Sequence, residues 1–306
     1  MTKAFIDGSA GTTGLRIHER LSGREDIELI SVPEELRKDL KVREEAINAA
    51  DIAFFCLPDA AAVEAASLCH GSTALIDTST AHRTNPAWDY GFPELEGRRE
   101  KITVSKRVAN PGCHASGFIS LAEPLVRAGI IPAELKLSCF SLTGYSGGGK
   151  KMIAEYEAPD RSPLLSAPRQ YALTQQHKHL KEMRLISGLE EAPVFCPIVA
   201  DYCSGMEVTV PLFRKDIKGS MEDIKEVYRE YYSSGLVRFM DDDPEGGLLS
   251  GAALSGRDDM EIRVAGCDER ILLISRFDNL GKGASGAAIQ NMNIILGLDE
   301  KTGLTV

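Results

Sequence analysis

No apolar stretch in the 306-residue sequence approaches the roughly 18 residues of a membrane-spanning helix, so no membrane association is expected. The chain also lacks a basic run. Its formal net charge is −10, from 35 Lys and Arg against 45 Asp and Glu. Nucleic acid is therefore excluded as an expected partner, because binding it needs a basic footprint. No C-x-x-C occurs among the seven cysteines, whose number is odd and whose spacings are wide. That pattern argues against a disulfide framework and against a zinc site, and no metal is expected. The opening MTKAFIDGSAG lacks the basic stretch and apolar core of a signal peptide, so a cytoplasmic address is expected. Internal repeats and low-complexity linkers are missing as well. Asp241–Asp243 reads as a solvated acidic turn rather than a metal site.

What is present is ordinary globular composition, 43 % hydrophobic and 26 % charged, and a length sufficient for two domains. The first part alternates strand and helix patterns. Lys3 to Asp7 reads as a buried strand, Ile27 to Val32 as a second, and Asp51 to Leu57 as a strand buried on both faces. A charged helical patch spans Glu34 to Ala50, an alanine-rich helix spans Ala60 to Cys69, and Ala74 to Ile76 forms another strand. This alternation predicts an α/β fold with a parallel sheet. Beyond residue 113 the texture changes. A helix from Ala115 to Ala128 precedes five strand-like runs, at Leu135–Leu142, Val194–Ala200, Met206–Leu212, Met260–Val264 and Ile271–Phe277. Several of them alternate apolar and polar residues, as half-exposed strands do. A helix starts at Ser220 with capping-box spacing to Asp223, and a last helix spans Ser285 to Leu296.

Directly after the first strand comes G-S-A-G-T-T-G, with Gly8, Gly11 and Gly14 at relative positions 1, 4 and 7. It is a variant of the dinucleotide fingerprint. Glycine permits the tight turn and close approach to a pyrophosphate, and the following helix offers free N–H groups and a positive dipole end. Ser9, Thr12 and Thr13 add hydroxyl donors. The plainer alternative is a glycine turn with no ligand. NAD sites usually place Asp or Glu at the end of the second strand. Here Ser31, Val32 and Pro33 stand there, Glu34 and Glu35 come slightly late, and Arg37 and Lys38 lie close by, which favours NADP as cofactor. Individually these charges also suit a solvated helix face.

Asn110-Pro111-Gly112-Cys113-His114-Ala115 places a cysteine after a turn and at a helix start. The helix dipole there favours the thiolate, which is the attacking form. Cys113 is thus either a nucleophile or a structural cysteine at a helix start. Thr143 to Lys151 contains four glycines and ends in two lysines. Consecutive N–H groups in such a loop make an anion nest, unless it is a plain flexible hairpin.

Taken together, these segments resemble the N-acetyl-gamma-glutamyl-phosphate reductases, of the shorter of their two types, within the wider semialdehyde dehydrogenase family. The resemblance is carried by G-x-x-G-x-x-G at 8–14, D-T-S-T-A-H-R at 77–83, Y-G-F-P-E-L at 90–95 and N-P-G-C at 110–113. It continues in T-G-Y-S-G-G-G-K at 143–150, H-K-H-L-K-E at 177–182 and N-L-G-K-G-A-S-G-A-A-I-Q-N-M-N at 279–293. Each segment is modest singly, and their order and number make the match specific.

The resemblance implies a Rossmann-type dinucleotide-binding domain, residues 1–112 with 283–306. It implies an α+β mixed-sheet domain for catalysis and oligomerisation, residues 113–282. The implied activity is NADPH-dependent reduction of an acyl phosphate to an aldehyde in arginine biosynthesis, through a Cys113 thioester. His177, His179 and Glu182 match the acid–base motif. His179 is favoured because Glu182 lies three residues on, and the choice between the histidines depends on whether the segment is strand or helix. Cofactor contacts are implied for Ser79, Asn279, Lys282 and Gly283, and substrate contacts for Asn110, Ser146 and Gly147. Arg83 and Arg107 are the candidates for gripping a substrate carboxylate. His114 is given no role, because it stands at a variable position of the motif. The resemblance also implies a homo-oligomer, dimer or tetramer, built through the second domain's sheet. Two other readings stand beside it: an aspartate-semialdehyde dehydrogenase-like reductase, and a non-catalytic NADP-binding redox sensor using Cys113.

Overall fold

The computed structural model describes residues 1–242 and 245–306, and the chain divides into two compact units. The first comprises Met1–Pro111 and Ala284–Leu304, the second Gly112–Gly283 and Thr305–Val306.

In the first unit the strands are β1 (Thr2–Asp7), β2 (Ile27–Ile30), β3 (Ile52–Phe55), β4 (Ala74–Asp77), β5 (Asp89–Tyr90) and β6 (Arg107–Ala109). They form one parallel sheet in the order β2-β1-β3-β4-β6-β5. Its helices are α1 (Thr12–Ser22), α2 (Leu40–Ala49), α3 (Asp59–Ser67) and α4 (Arg98–Val104). Strand alternation sends successive residues to opposite faces, and here both faces are covered. Ala4, Ile6, Ile52 and Phe54 pack with Ile17 and Leu21 of α1 and with Ala288, Ile289 and Met292 near the C-terminus. Phe5, Ala53 and Phe55 pack on the other side with Ile47 of α2 and Ala65 of α3. The run Ile52–Phe55 is apolar throughout because neither face meets water.

The helical patch expected over Glu34–Ala50 is divided. A short 3-10 turn covers Glu34–Leu36, and α2 starts only at Leu40. The reason is Asp39, whose side chain accepts from the N–H groups of Lys41 and Val42 and so sets the N-terminus.

The second unit opens with α5 (Cys113–Arg127) and continues through β7 (Ser138–Gly144), α6 (Gly149–Glu157), β8 (Arg169–Gln170), α7 (Leu180–Ser187), β9 (Val194–Ala200) and β10 (Met206–Phe213). It ends with α8 (Met221–Tyr231), β11 (Val237–Phe239), β12 (Met260–Cys267) and β13 (Arg270–Phe277), and α9 (Gly286–Ile295) then belongs to the first unit. The sheet runs β11-β12-β13-β10-β7-β9-β8 and is mixed, with β7 parallel to β9 and β10 antiparallel to both β7 and β13. The capping box expected at Ser220 and Asp223 is formed at the start of α8. Asp241 receives the Lys225 ammonium at 2.7 Å and Asp242 the Arg263 guanidinium at 2.9 Å; Asp243 lies outside the described residues.

Residues from β10 and β13 alternate across the sheet. Val208 and Ser275 face α5, whereas Phe213 and Leu272 are exposed on the opposite face, as is Phe140 of β7. α5 lies close on β10 because Gly117 has no side chain: a Cβ there would stand 2.4 Å from a Val208 methyl and 2.9 Å from Ser275 Oγ. Gly117→Ala therefore forces α5 away from the sheet. A loss of about 1–3 kcal/mol in stability is expected, typical of overpacking, read as a lower urea midpoint at unchanged slope. An unchanged midpoint would show that α5 does not need this approach.

Candidate active site

Cys113 is the first residue of α5, half-buried, and Gly112 precedes it as an N-cap without a side chain. The first N–H groups of a helix lack intrahelical partners, so their partial positive charge gathers at this residue. Cys113 is also held from behind. A Cβ at Gly283 would lie 2.9 Å from the Cys113 Cβ, so only glycine allows the 278–283 turn to pass there. In the same turn Asp278 accepts from the N–H groups of Leu280 at 2.6 Å and Gly281 at 3.1 Å.

The H-K-H-L-K-E segment is neither a strand nor wholly helical: His177 lies in a turn, and His179 is the N-cap of α7. The His179 N–H donates to His177 Nδ1 at 3.2 Å, and the two rings meet edge to face at 4.6 Å between centroids. Glu182, 1 % exposed, sits in the first turn of α7. One of its oxygens is 3.9 Å from His179 Nε2, too long for a hydrogen bond but suited to an ion pair when the imidazole is protonated. The other accepts the Gly112 N–H at 3.3 Å. Glu182 thus ties the histidine segment to the residue preceding Cys113.

His114, assigned no role from sequence, is at the centre of this cluster. Its ring centroid is 5.9 Å from His177 and 5.7 Å from His179. Its Nδ1 is 2.6 Å from Ser141 Oγ and its Nε2 2.6 Å from Tyr171 Oη. Burial first, and the charge of His177 second, push the His114 imidazole down to about 3. Sequence spacing missed it because Ser141 and Tyr171 lie 27 and 57 residues away; the one local signal was its place beside Cys113. Two other thiols are unsuited to attack: burial pushes Cys56 up to about 12 and raises Cys139 further.

The glycine-rich loop after β7 is anchored rather than flexible. The N–H groups of Gly144, Tyr145 and Ser146 donate to the carbonyls of Gly205, Tyr202 and Cys203 at 2.9–3.0 Å. A nest of consecutive N–H groups is therefore restricted to the region of Gly147 and the start of α6. Ser146 is buried, and its hydroxyl receives Asn279 Nδ2 at 3.0 Å, while Asn279 Oδ1 accepts the Gly205 N–H at 2.8 Å. The Asn279 side chain thereby positions Ser146. Lys282 is buried, 2 % exposed.

In the first unit the turn after β1 is shaped by its glycines. Gly8 has φ +87°, and a Cβ on it would lie 2.3 Å from the Cys56 carbonyl oxygen; one on Gly14 would lie 2.4 Å from that of Gly8. Gly11 caps α1 without a side chain, and among the described residues the buried Thr12 hydroxyl has no hydrogen-bond partner. Free N–H groups, an unpartnered hydroxyl and a cradle that any Cβ would fill suit a pyrophosphate. Beside the turn is a cavity of about 280 Å³ whose lining includes Ser9, Ser31, Val32, Arg37 and Leu57. Ser79 is bonded to Asp77 through its hydroxyl at 2.7 Å, and His82 Nδ1 is 2.6 Å from the same carboxylate. Arg83 is buried and donates to the carbonyls of Asn110 and Thr78, each at 2.9 Å. Arg107 lies over the Trp88 ring at 5.7 Å, and Asn110 donates to the Ala284 carbonyl at 3.0 Å.

A buried neutral His114 gives a pH signature. Its folded-state pKa is depressed below the ordinary 6.5 of the unfolded chain. The unfolded state thus binds the extra proton, and stability falls as pH drops from about 6.5 toward 3. The expected slope is up to about 1.4 kcal/mol per pH unit. Urea denaturation between pH 4.5 and 7 should show this slope, and His114→Asn should flatten it. A slope equal in both proteins would show that the proton is taken up elsewhere.

Two family profiles match the chain: the semialdehyde dehydrogenase NAD binding domain over residues 4–104 and the dimerisation domain over residues 113–279. N-acetyl-gamma-glutamyl-phosphate reductases of Brucella ovis and Brucella canis are 44 % identical to it, covering 96 % of this chain and 99 % of theirs. Aspartate semialdehyde dehydrogenase from Francisella tularensis superposes with a TM-score of 0.71 at 16 % identity, covering 97 % of this chain and 100 % of that one. The Candida albicans enzyme with NADP gives 0.68 at 16 % identity, covering 97 % and 98 %. At such identity these structures speak for the fold, whereas the Brucella sequences speak for closer kinship: the chain belongs to the semialdehyde dehydrogenase family, among its N-acetyl-gamma-glutamyl-phosphate reductases.

Proposed function

We propose that this chain reduces N-acetyl-gamma-glutamyl phosphate to N-acetylglutamate semialdehyde and phosphate, drawing on NADPH, in the cytoplasm and as a step of arginine biosynthesis. The observation that carries this reading is the placement of Cys113 at the start of α5, with Glu182 joining the Gly112 N–H to the His177–His179 segment. The kinship with the Brucella N-acetyl-gamma-glutamyl-phosphate reductases supplies the substrate.

In this reading the Cys113 thiolate attacks the acyl carbonyl carbon. The C–S bond forms, the C–O bond to phosphate breaks, and phosphate leaves. NADPH, when bound, supplies hydride to the thioester carbon. Collapse of the resulting thiohemiacetal returns the C–S electron pair to sulfur and frees the aldehyde. His179 takes the thiol proton, gives it to the developing alkoxide and takes it back from the hydroxyl as the thiohemiacetal collapses, and Glu182 stabilises its charged form. His177 Nδ1 already accepts the His179 N–H, which makes it the less suited base. Ser146 and Gly147, with the start of α6, receive the phosphate; Asn110 and one of Arg83 and Arg107 serve the rest of the substrate. Lys282 and Gly283 approach the cofactor together with Ser79 and Asn279.

The glycine turn Gly8–Gly14 holds the pyrophosphate, with Ser9, Thr12 and Thr13 as donors. NADP over NAD is supported by the cavity beside this turn, lined by Arg37 and Ser31 and by no carboxylate from the end of β2. Arg suits a 2′-phosphate. For the oligomer, the exposed Phe140, Phe213 and Leu272 on the uncovered sheet face support a second copy of the chain as occupant, in keeping with the dimerisation domain that the profile describes.

The test is NADP reduction at alkaline pH with N-acetylglutamate semialdehyde and phosphate. Phosphate-dependent turnover is expected with NADP, weaker turnover with NAD, and a loss of at least about 10³-fold in Cys113→Ser, roughly 4 kcal/mol of barrier. Turnover with aspartate semialdehyde instead would transfer the substrate assignment to the sister enzymes. Cofactor binding without turnover of either would favour a redox sensor. Sedimentation should give a mass above one chain, reduced to one chain by combining Phe213→Asp with Leu272→Asp. A wild-type protein that sediments as a single chain would overturn the assembly.

A further inference from the structure

Arg37 and Arg43 both line the cavity beside the glycine turn, and they are held in different ways. Arg37 pairs with Glu34 at 3.7 Å, and both side chains are open to solvent. Arg43, on α2, is buried. Its Nε donates to Asp7 Oδ2 at 3.0 Å, and its Nη2 is 2.9 Å from the same oxygen. Its Nη1 donates to Glu64 Oε2 of α3 at 3.0 Å. Asp7 is itself buried and directly precedes Gly8. One positive charge therefore stands against two carboxylates, and little of its field is left for a third anion. The same pairing engages the guanidinium at its edges and leaves its flat face. A planar guanidinium held in this way stacks on aromatic rings. Stability alone is a weak reason for such a group, because packed apolar side chains commonly replace a buried ion pair without loss. The cavity holds about 280 Å³, and Phe5, Leu29, Val32 and Leu57 add apolar wall to it. A flat ring suits that wall better than a charged group does.

We propose that Arg43 is a cofactor-binding residue: Asp7 and Glu64 hold its guanidinium so that its face stacks on the adenine ring of the dinucleotide, and the 2′-phosphate is left to Arg37. The inference rests on the cofactor assignment made above and divides the labour within it. Arg43 contributes affinity common to NADP and NAD, whereas Arg37 contributes the preference between them.

The first test uses the wild-type protein with ¹³C-labelled arginine and saturating NADP, without substrate. Nuclear Overhauser contacts are expected between adenine H2 or H8 and the Arg43 side chain, identified by their absence in Arg43→Lys and their persistence in Arg37→Ala. Bound NADP without such contacts would overturn the proposal and leave the cofactor assignment standing. The second test is calorimetric titration with NADP and with NAD. Arg43→Lys keeps the charge beside Asp7 and removes the planar face. It should weaken both nucleotides about tenfold and keep their ratio. Arg37→Ala should weaken NADP about tenfold or more relative to NAD. An Arg43→Lys protein that binds both as the wild type does, or that loses NADP alone, would also overturn the proposal. A wild-type protein that binds neither nucleotide would remove the cofactor assignment and this inference with it.

Discussion

The second unit is organised around the close approach of α5 to its sheet. Gly117 lets the helix lie against Val208 and Ser275, and Gly283 lets the 278–283 turn pass behind Cys113. Once α5 is seated, its N-terminal residue and the N–H groups of its first turn, which a helix leaves without intrahelical acceptors, occupy one place. A cysteine there meets a field that favours negative charge. The remainder of the site secures this arrangement. Glu182 reaches from α7 to the Gly112 N–H, and Asp278 binds the turn that carries Gly283.

Several polar groups buried around Cys113 bond to side chains distant in sequence. His114 has Ser141 and Tyr171, and Ser146 has Asn279, which also takes the Gly205 N–H. Each such bond offsets a desolvation cost that would otherwise destabilise the fold. Each also fixes the direction in which a donor points, so the same bonds that keep the interior stable orient the site.

The first unit uses glycine differently. Gly8 and Gly14 remove side chains where backbone meets backbone, at the Cys56 carbonyl and at the turn itself. The turn closes tightly enough for the α1 N–H groups to face one small volume. A parallel sheet buried on both faces makes this turn rigid, because Phe5 and Phe55 on one side and Ile6 and Phe54 on the other leave β1 and β3 no freedom to slide.

Local pattern was sufficient for much of this. Strict alternation and apolar runs located β1, β3, β9, β10 and β13 within a residue or two, and the Ser220–Asp223 spacing identified the start of α8. Family motifs pointed to Cys113, His177, His179 and Glu182 by order along the chain. Short elements such as α4, β5 and β8 escaped, because two to seven residues carry too little periodicity. The split of the 34–50 segment escaped because the charge pattern overshadowed the Asp39 cap. By itself, then, the sequence determined the two-part α/β architecture and the glycine turn, and singled out Cys113 as the candidate nucleophile, since each depends on residues close together in the chain. The tertiary structure alone decided that Glu182 reaches Gly112, that Asn279 holds Ser146, and that His114 is bridged by two hydroxyls. Those pairings join residues separated by 27 to 133 positions, and only the folded sheet brings such distant side chains within bonding distance.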